Sequence, residues 1–202
     1  DVDPVANTSN SVSYIAHEYI PKGECETSNP CYVNRVERVN LTTGVVETVY
    51  TSTVSGPSGG NLGRWHDVDR YDEDSILVAD IERDSAAVIN TTSGLVEWEW
   101  QAESDFAPSS GGSYTGDWTH INDVELLEDG RVMADLRNHD AVVFIHPETG
   151  LQENWTLGAD DNYDVLNEQH NPDYIPESRG GPAVIVADSE NDRIVEYQRV
   201  DG

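Results

Sequence analysis

Three histidines recur in similar surroundings. His66-Asp67-Val68-Asp69, His120-Ile121-Asn122-Asp123 and His170-Asn171-Pro172-Asp173 share an H-x-x-D pattern, with the histidines 54 and 50 residues apart. A neutral imidazole is a competent nucleophile and proton carrier near neutral pH. Arg137, 17 residues after His120, adds a cation that could meet an anionic ligand. Trp118 and Tyr114, just ahead of His120, are expected to line an aromatic pocket, and Asn122 and His66 to add ligand contacts. The candidate catalytic set is therefore His120, Arg137 and His170, and the candidate binding set is Trp118, Tyr114, Asn122 and His66. A plainer reading of a repeated H-x-x-D is a hydrogen-bonded brace between loop and strand, which suits His66 and His170. The segment Asp117-Trp118-Thr119-His120-Ile121-Asn122-Asp123 is more specific. His17, His139 and His146 read as strand or turn residues. The chain has no Gly-rich phosphate loop, no G-x-S-x-G elbow and no H-E-x-x-H.

The elements that would carry these residues also repeat. Each histidine leads into an apolar strand (Ser75 to Asp80, Arg131 to Asp135, Ala183 to Asp188), then an Asp-containing turn (Asp84, Asp140, Asp192) and a second strand. A period of roughly 40–50 residues with several strands per unit marks a β-propeller blade. The inner strands of such blades face a central channel, so the three histidines are expected near one axis, with Asp80, Asp135 and Asp188 at equivalent strand edges. Hairpins closing on Gly44, Gly94 and Gly150 form the outer parts of the units. Trp98 and Trp155 then fall at matching outer positions and are expected to pack between blades. No window has helical periodicity. The expected architecture is an all-β propeller of four-stranded blades, about four in number. Residues 1–12 read as an N-terminal arm, and residues 13–202 as the propeller, expected to be incomplete at its C-terminal end because the fourth unit stops in mid-hairpin. The connections at residues 104–116 and 158–169 are long enough to carry function.

The formal net charge is −28, from 39 acidic and 11 basic residues, with Lys22 the only lysine. So negative a chain would repel polyanions and anionic lipid, which excludes nucleic acid as a partner. Disorder is the usual reading of strong acidity, yet five Trp, nine Tyr and dense aliphatic strands give this chain a core. Adaptation to molar salt accounts for the composition better, since at 1 M the Debye length is about 3 Å and self-repulsion is screened.

Cys25 and Cys31, the only cysteines, flank a short turn. They could hold a metal, but no second pair or nearby His completes four ligands. A disulfide is expected instead, and with it an oxidising, extracellular compartment. Four N-x-S/T sequons, at Asn7, Asn40, Asn90 and Asn154, agree with a secreted glycoprotein. No signal peptide or 18-residue apolar run is present, so any membrane tether would lie outside this segment. No cofactor is expected, although the turn Asp160-Asp161-Asn162-Tyr163-Asp164 could bind Ca²⁺ through its oxygens as well as serve as a solvated turn.

Asp117-Trp118-Thr119-His120-Ile121-Asn122-Asp123-Val124, followed by Arg137-Asn138 and Asp140-Ala141-Val142-Val143, resembles the signature blade of arylsulfotransferases, the haloarchaeal arylsulfotransferase-like branch in particular. Leu157 to Asp161, Glu168 to Tyr174 and Val186 to Arg193 are similar to the same branch, and the resemblance spans roughly residues 62–200. It implies a six-bladed propeller that binds an aryl sulfate in its channel and transfers the sulfuryl group to a phenol through a sulfo-histidine. His120 matches an active-site histidine and Arg137 a sulfate-contacting arginine, while His170 is a looser match. The family's nucleophile lies late in its chain and has no placed counterpart here. The alternative is a non-catalytic surface propeller that binds a ligand, or self-associates through open sheet edges, and keeps the fold without the chemistry.

Overall fold

A computed structural model describes residues 2–5, 8–26, 29–56 and 63–200. These residues form four antiparallel sheets in series. The first holds β1 (Val2–Pro4), β2 (Ser11–Ile20), β3 (Cys31–Asn40) and β4 (Val46–Ser55). The second holds β5 (Trp65–Arg70), β6 (Ser75–Asp80), β7 (Ser85–Asn90) and β8 (Val96–Gln101). In the third, β9 (Ile121–Leu126), β10 (Val132–Leu136) and β11 (Ala141–His146) are completed by two short strands, β12 (Gly150–Leu151) and β13 (Leu157–Gly158), both paired with β11. The fourth has three strands, β14 (His170–Ile175), β15 (Ala183–Asp188) and β16 (Arg193–Gln198). The only helical segments among the described residues are three-residue 3-10 turns. The fold is an all-β propeller, with four blades among the described residues.

Strand alternation explains how the blades stack. In β6, Leu77 and Ala79 face the third blade, while Ile76 and Val78 face the first. Every residue of β6 is buried, because a central strand of a middle blade is covered on both faces. Three apolar layers result. Val36 packs with Val68 and Val78, Leu77 and Trp100 with Val124 and Val143, and Met133 and Phe144 with Val184 and Val186. Trp98 and Trp155 lie at blade junctions as expected: the Trp98 indole N–H donates to the Pro147 carbonyl at 3.1 Å, and Trp155 lies between the Arg131 and Arg199 guanidinium groups, 3.9 and 4.2 Å from them. Cys25 and Cys31 are bonded, with sulfurs 2.11 Å apart.

Three expectations need correction. First, residues 2–4, assigned to an arm, are β1, paired with β2 through Val2–Tyr14 and Pro4–Val12, and Val5 is buried behind them. A short polar-looking segment gains a ladder here because β2 offers it an open edge. Second, the turns at residues 81–84, 137–140 and 189–192 all close on an Asp in the left-handed region (Asp84, Asp140 and Asp192, φ 49–50°). The strand ends before them are Asp80, Leu136 and Asp188. Asp135 therefore precedes the matching position by one residue and points to the opposite face. Third, the inner strands align differently from the H-x-x-D letters. Asp69, Glu125 and Asp173 pair with Leu77, Met133 and Ile185, each three residues before its strand end. Counting back three residues gives His66, Asn122 and His170. Asn122 is the equivalent of the two histidines, and His120 sits two residues earlier, at φ 47°, just ahead of β9.

Candidate functional site

The inner strands of all four blades surround one cavity of about 620 Å³, lined by Val2, Asp67, Asp69, Asp123, Glu125 and Asp173 among others. Its acids clasp adjacent blades together. Asp67 and Asp69 accept the amides of Val124 and Leu126 at 3.1 and 2.9 Å, and Glu125 accepts that of Tyr174 at 3.0 Å. Burial raises Asp67 and Asp69 above the usual carboxylate range and pushes Glu125 up to about 7.

Where the chain enters the inner strands, the basic residues gather. The His66 and His120 rings lie edge to face with centroids 5.0 Å apart. Burial is the main cause pulling His66 down to about 4, and the charges of His120, Arg64 and His170 add to it. Burial lowers His170 as well, followed by the charges of Arg137 and His120. Both shifts favour the neutral imidazole at pH 7; the single N–H of His170 is then Nδ1–H, given to the Glu168 carbonyl, and its Nε2 is an acceptor. The expected convergence of His66, His120, His170 and Arg137 is what the structure brings together, although His120 arrives from a different strand position.

Local chemistry fixes His120. Both Asp117 carboxylate oxygens lie 2.8 Å from its Nδ1, which assigns a proton to Nδ1, so that in the neutral ring the lone pair is on Nε2. The turn carrying Asp117 is itself held: Asn138 Nδ2 donates to the Asp117 carbonyl at 2.8 Å, and Asp84 accepts the Thr119 amide and hydroxyl at 3.0 and 2.6 Å. Asp140 repeats the device one blade on, accepting the Glu168 amide at 3.0 Å. Arg137 donates from Nη1 to Asn138 Oδ1 at 2.9 Å and from Nη2 to the Glu168 carboxylate. The His170 Nδ1 lies 3.0 Å from the Glu168 carbonyl and 2.9 Å from the Ser189 hydroxyl.

Trp118, Tyr114 and Asn122 lie away from the histidine cluster, and Trp118 and Tyr114 together border a second cleft. Trp118 is only 1% exposed, donates its indole N–H to the Ser110 carbonyl and stacks edge-on against His139 and Tyr114. It belongs to the layer between the second and third blades. Tyr114 borders a separate cleft with Glu82, Arg83 and Glu103, bonded to Glu103 at 2.8 Å. Asn122 is buried and donates to the Gln169 carbonyl at 3.3 Å. Gln169 in turn donates to Asp135, whose carboxyl is held well above its usual range by complete burial. His139, read as a turn residue, is fully buried against Phe106 and Trp118. Sequence reasoning did not assign Asp117, Glu168 or Gln169. The Asp-x-x-His spacing of Asp117 and His120 was the available signal for the first, and nothing local marked the other two.

Among the described residues, no group of three or more His, Cys, Asp or Glu side chains is arranged to hold a metal ion. In the Asp-rich turn, Asp160 accepts the Gly111 amide at 3.0 Å and Asp161 the Tyr163 hydroxyl at 2.7 Å. The sequon asparagines have a conformational use. Asn40 caps its hairpin turn by accepting the amides of Thr42 and Thr43, and Asn90 does the same for Thr92 and Ser93. Asn154 is exposed, and Asn7 lies outside the described residues. No helix among the described residues is long and apolar enough to cross a membrane.

No family model and no curated protein sequence matches this chain. Solved structures do. A Bacteroides fragilis protein assigned by name to the 6-phosphogluconolactonases aligns over the whole chain at 13% identity with a TM-score of 0.56. A virginiamycin B lyase from Staphylococcus aureus aligns over 92% of the chain at 7% identity, with a TM-score of 0.47 and 74% of its own length covered. The likeness to the first establishes the propeller fold, and this chain spans 53% of that protein's length.

Proposed function

We propose that this chain is an arylsulfotransferase-like propeller, working outside the cell at high salt, whose histidine–arginine cluster binds the sulfate of an aryl sulfate and passes the sulfuryl group through His120. The observation that carries this reading is an imidazole held by Asp117 beside two neutral imidazoles and Arg137, an arrangement suited to an oxyanion. Arg137 and the N–H of His66 would hold the non-bridging oxygens and stabilise the charge that builds on them. The Nε2 lone pair of His120 attacks sulfur, the sulfur–oxygen bond to the aryl group breaks, and the phenolate leaves with the electron pair and is protonated by water. The Asp117 carboxylate stabilises the positive charge on the sulfo-imidazole. An acceptor phenol then attacks the same sulfur, and its proton passes to His66 or His170 and on to solvent, while the pair in the nitrogen–sulfur bond returns to His120. The Cys25–Cys31 disulfide and the −28 charge support the extracellular, saline setting.

A second reading has its own support. Glu168 already engages Arg137, which suits a propeller that binds anions without catalysis. The deciding experiment is turnover of 4-nitrophenyl sulfate with phenol as acceptor, in about 3 M salt, by wild type and His120→Ala. The catalytic reading expects release of nitrophenolate by the wild type and a loss of at least ~100-fold in the variant, the scale of one transition-state group. Wild-type protein that binds sulfate through Arg137 without turnover would leave the binding reading in place.

A further inference from the structure

We infer that Glu168 is a built-in competitor at the anion site, a carboxylate that occupies Arg137 until a ligand oxyanion displaces it. The inference rests on the anion-site reading above and adds to it what sets the site's affinity. Arg137 has two commitments. Its Nη1 contact with Asn138 is structural, since the same Asn138 amide pins the turn that carries Asp117. Its Nη2 contact with Glu168 fills the direction left over.

Glu168 is tied down by its backbone and free to move by its side chain. Its amide donates to Asp140 at 3.0 Å, its carbonyl lies 3.0 Å from His170 Nδ1, and its φ is 48°. An L-residue other than Gly rarely takes that conformation, and here the flanking hydrogen bonds impose it. The side chain is 40% exposed, so its pair with Arg137 is of the partly solvated kind that contributes little and exchanges readily. Chain geometry thus holds a carboxylate within reach of Arg137 at a cost an incoming sulfate can overcome. Arg137 is the cation that Glu168 touches, and so the one for which carboxylate and ligand compete. A weak oxyanion would leave the pair intact. A sulfate ester, with three oxygens to share between Arg137 and the His66 N–H, gains more contacts than Glu168 gives up.

Titration calorimetry with inorganic sulfate and with 4-nitrophenyl sulfate, at one fixed chloride concentration, tests this on five proteins: wild type, Glu168→Gln, Glu168→Asp, Arg137→Gln and Glu177→Gln. The last removes an equal charge from an exposed turn of the fourth blade. Glu168→Gln is expected to tighten both ligands by about five- to tenfold, through removal of the competitor and of its repulsion of the bound anion. Glu177→Gln is expected to change affinity by less than about twofold at this screening. Glu168→Asp, whose carboxylate is one methylene shorter, should fall between wild type and Gln, and serves if the Gln variant folds poorly. Binding that requires Arg137 but is equal or weaker in the Glu168 variants overturns the competitor and leaves the anion site standing. Absence of binding in every protein overturns the anion site itself, and the competitor with it.

Discussion

Replacing Glu125 with Gln should stabilise this protein at alkaline pH and do nothing at acid pH. Glu125 sits on the channel wall, accepts the Tyr174 amide at 3.0 Å and is pushed up from 4.5 to about 7, chiefly by burial, with the charges of Asp173 and Asp69 adding to it. A carboxyl raised in the folded state contributes stability that is complete below its unfolded value of 4.5 and is lost as pH rises through about 7. Across that window the shift corresponds to about 3.4 kcal/mol at 1.36 kcal/mol per tenfold. The side chain keeps some contact with water, so about half of that, near 1.5 kcal/mol, is a fairer expectation. Glutamine keeps an acceptor for the Tyr174 amide and cannot ionise. At pH 8 it should therefore raise the melting temperature by about 3–6 °C for a chain of this size, and the advantage should shrink to nothing by pH 4.5. Comparing variant with wild type at each pH cancels the opposing titration of His66, which is lowered to about 4. Urea melts of both proteins from pH 4.5 to 8, at constant molar NaCl, measure the difference. A Gln variant less stable than wild type at pH 8, or a difference that ignores pH, would refute the account of the channel acids.

Two further outcomes follow from the same chemistry. The melting transition should weaken and lose cooperativity on dialysis from about 3 M to 0.1 M salt, since −28 is carried by one small domain, and an unchanged melting temperature would count against the screening argument. Asp84→Ala should cost about 2–3 kcal/mol in urea unfolding, because it strands the buried Thr119 amide and hydroxyl and puts Ala at φ 50°, whereas Asp84→Asn should cost distinctly less.

The blade repeat was legible because turns and apolar strands are written locally. Asn40-Leu41-Thr42-Thr43-Gly44 and Asn90-Thr91-Thr92-Ser93-Gly94 both spell a hairpin in which Asn caps the turn and Gly takes positive φ, and the structure builds both that way. The inner strands were harder, because their facing depends on pairing register and a one-residue slip reverses every side chain. The letters favoured matching His66 with His120, but the stretch that shares its pairing is His66-Asp67-Val68-Asp69 with Asn122-Asp123-Val124-Glu125. Trp118 neighbours His120 in sequence and packs in the layer behind the channel wall. Glu168 and Gln169 carry no local signature at all. They matter through Arg137 and Asp135, partners more than 30 residues away that only the stacking of the third and fourth blades brings within reach.

Five acids of this chain line the cavity between the inner strands: Asp67, Asp69, Asp123, Glu125 and Asp173. Asp67, Asp69 and Glu125 serve as clasps, each accepting an amide of the next inner strand, so part of what composition suggests is solvated acid is structural. At the entrance to the same strands, His66, His120, His170 and Arg137 form a basic island in a molecule of net charge −28. In dilute buffer the long-range field would repel the anion that such an island suits. At molar salt the field decays within about 3 Å, while hydrogen bonds of about that length from Arg137 and the imidazoles survive. Folding and anion capture then depend on salt for one reason: both need the distant acids silenced and the close contacts kept.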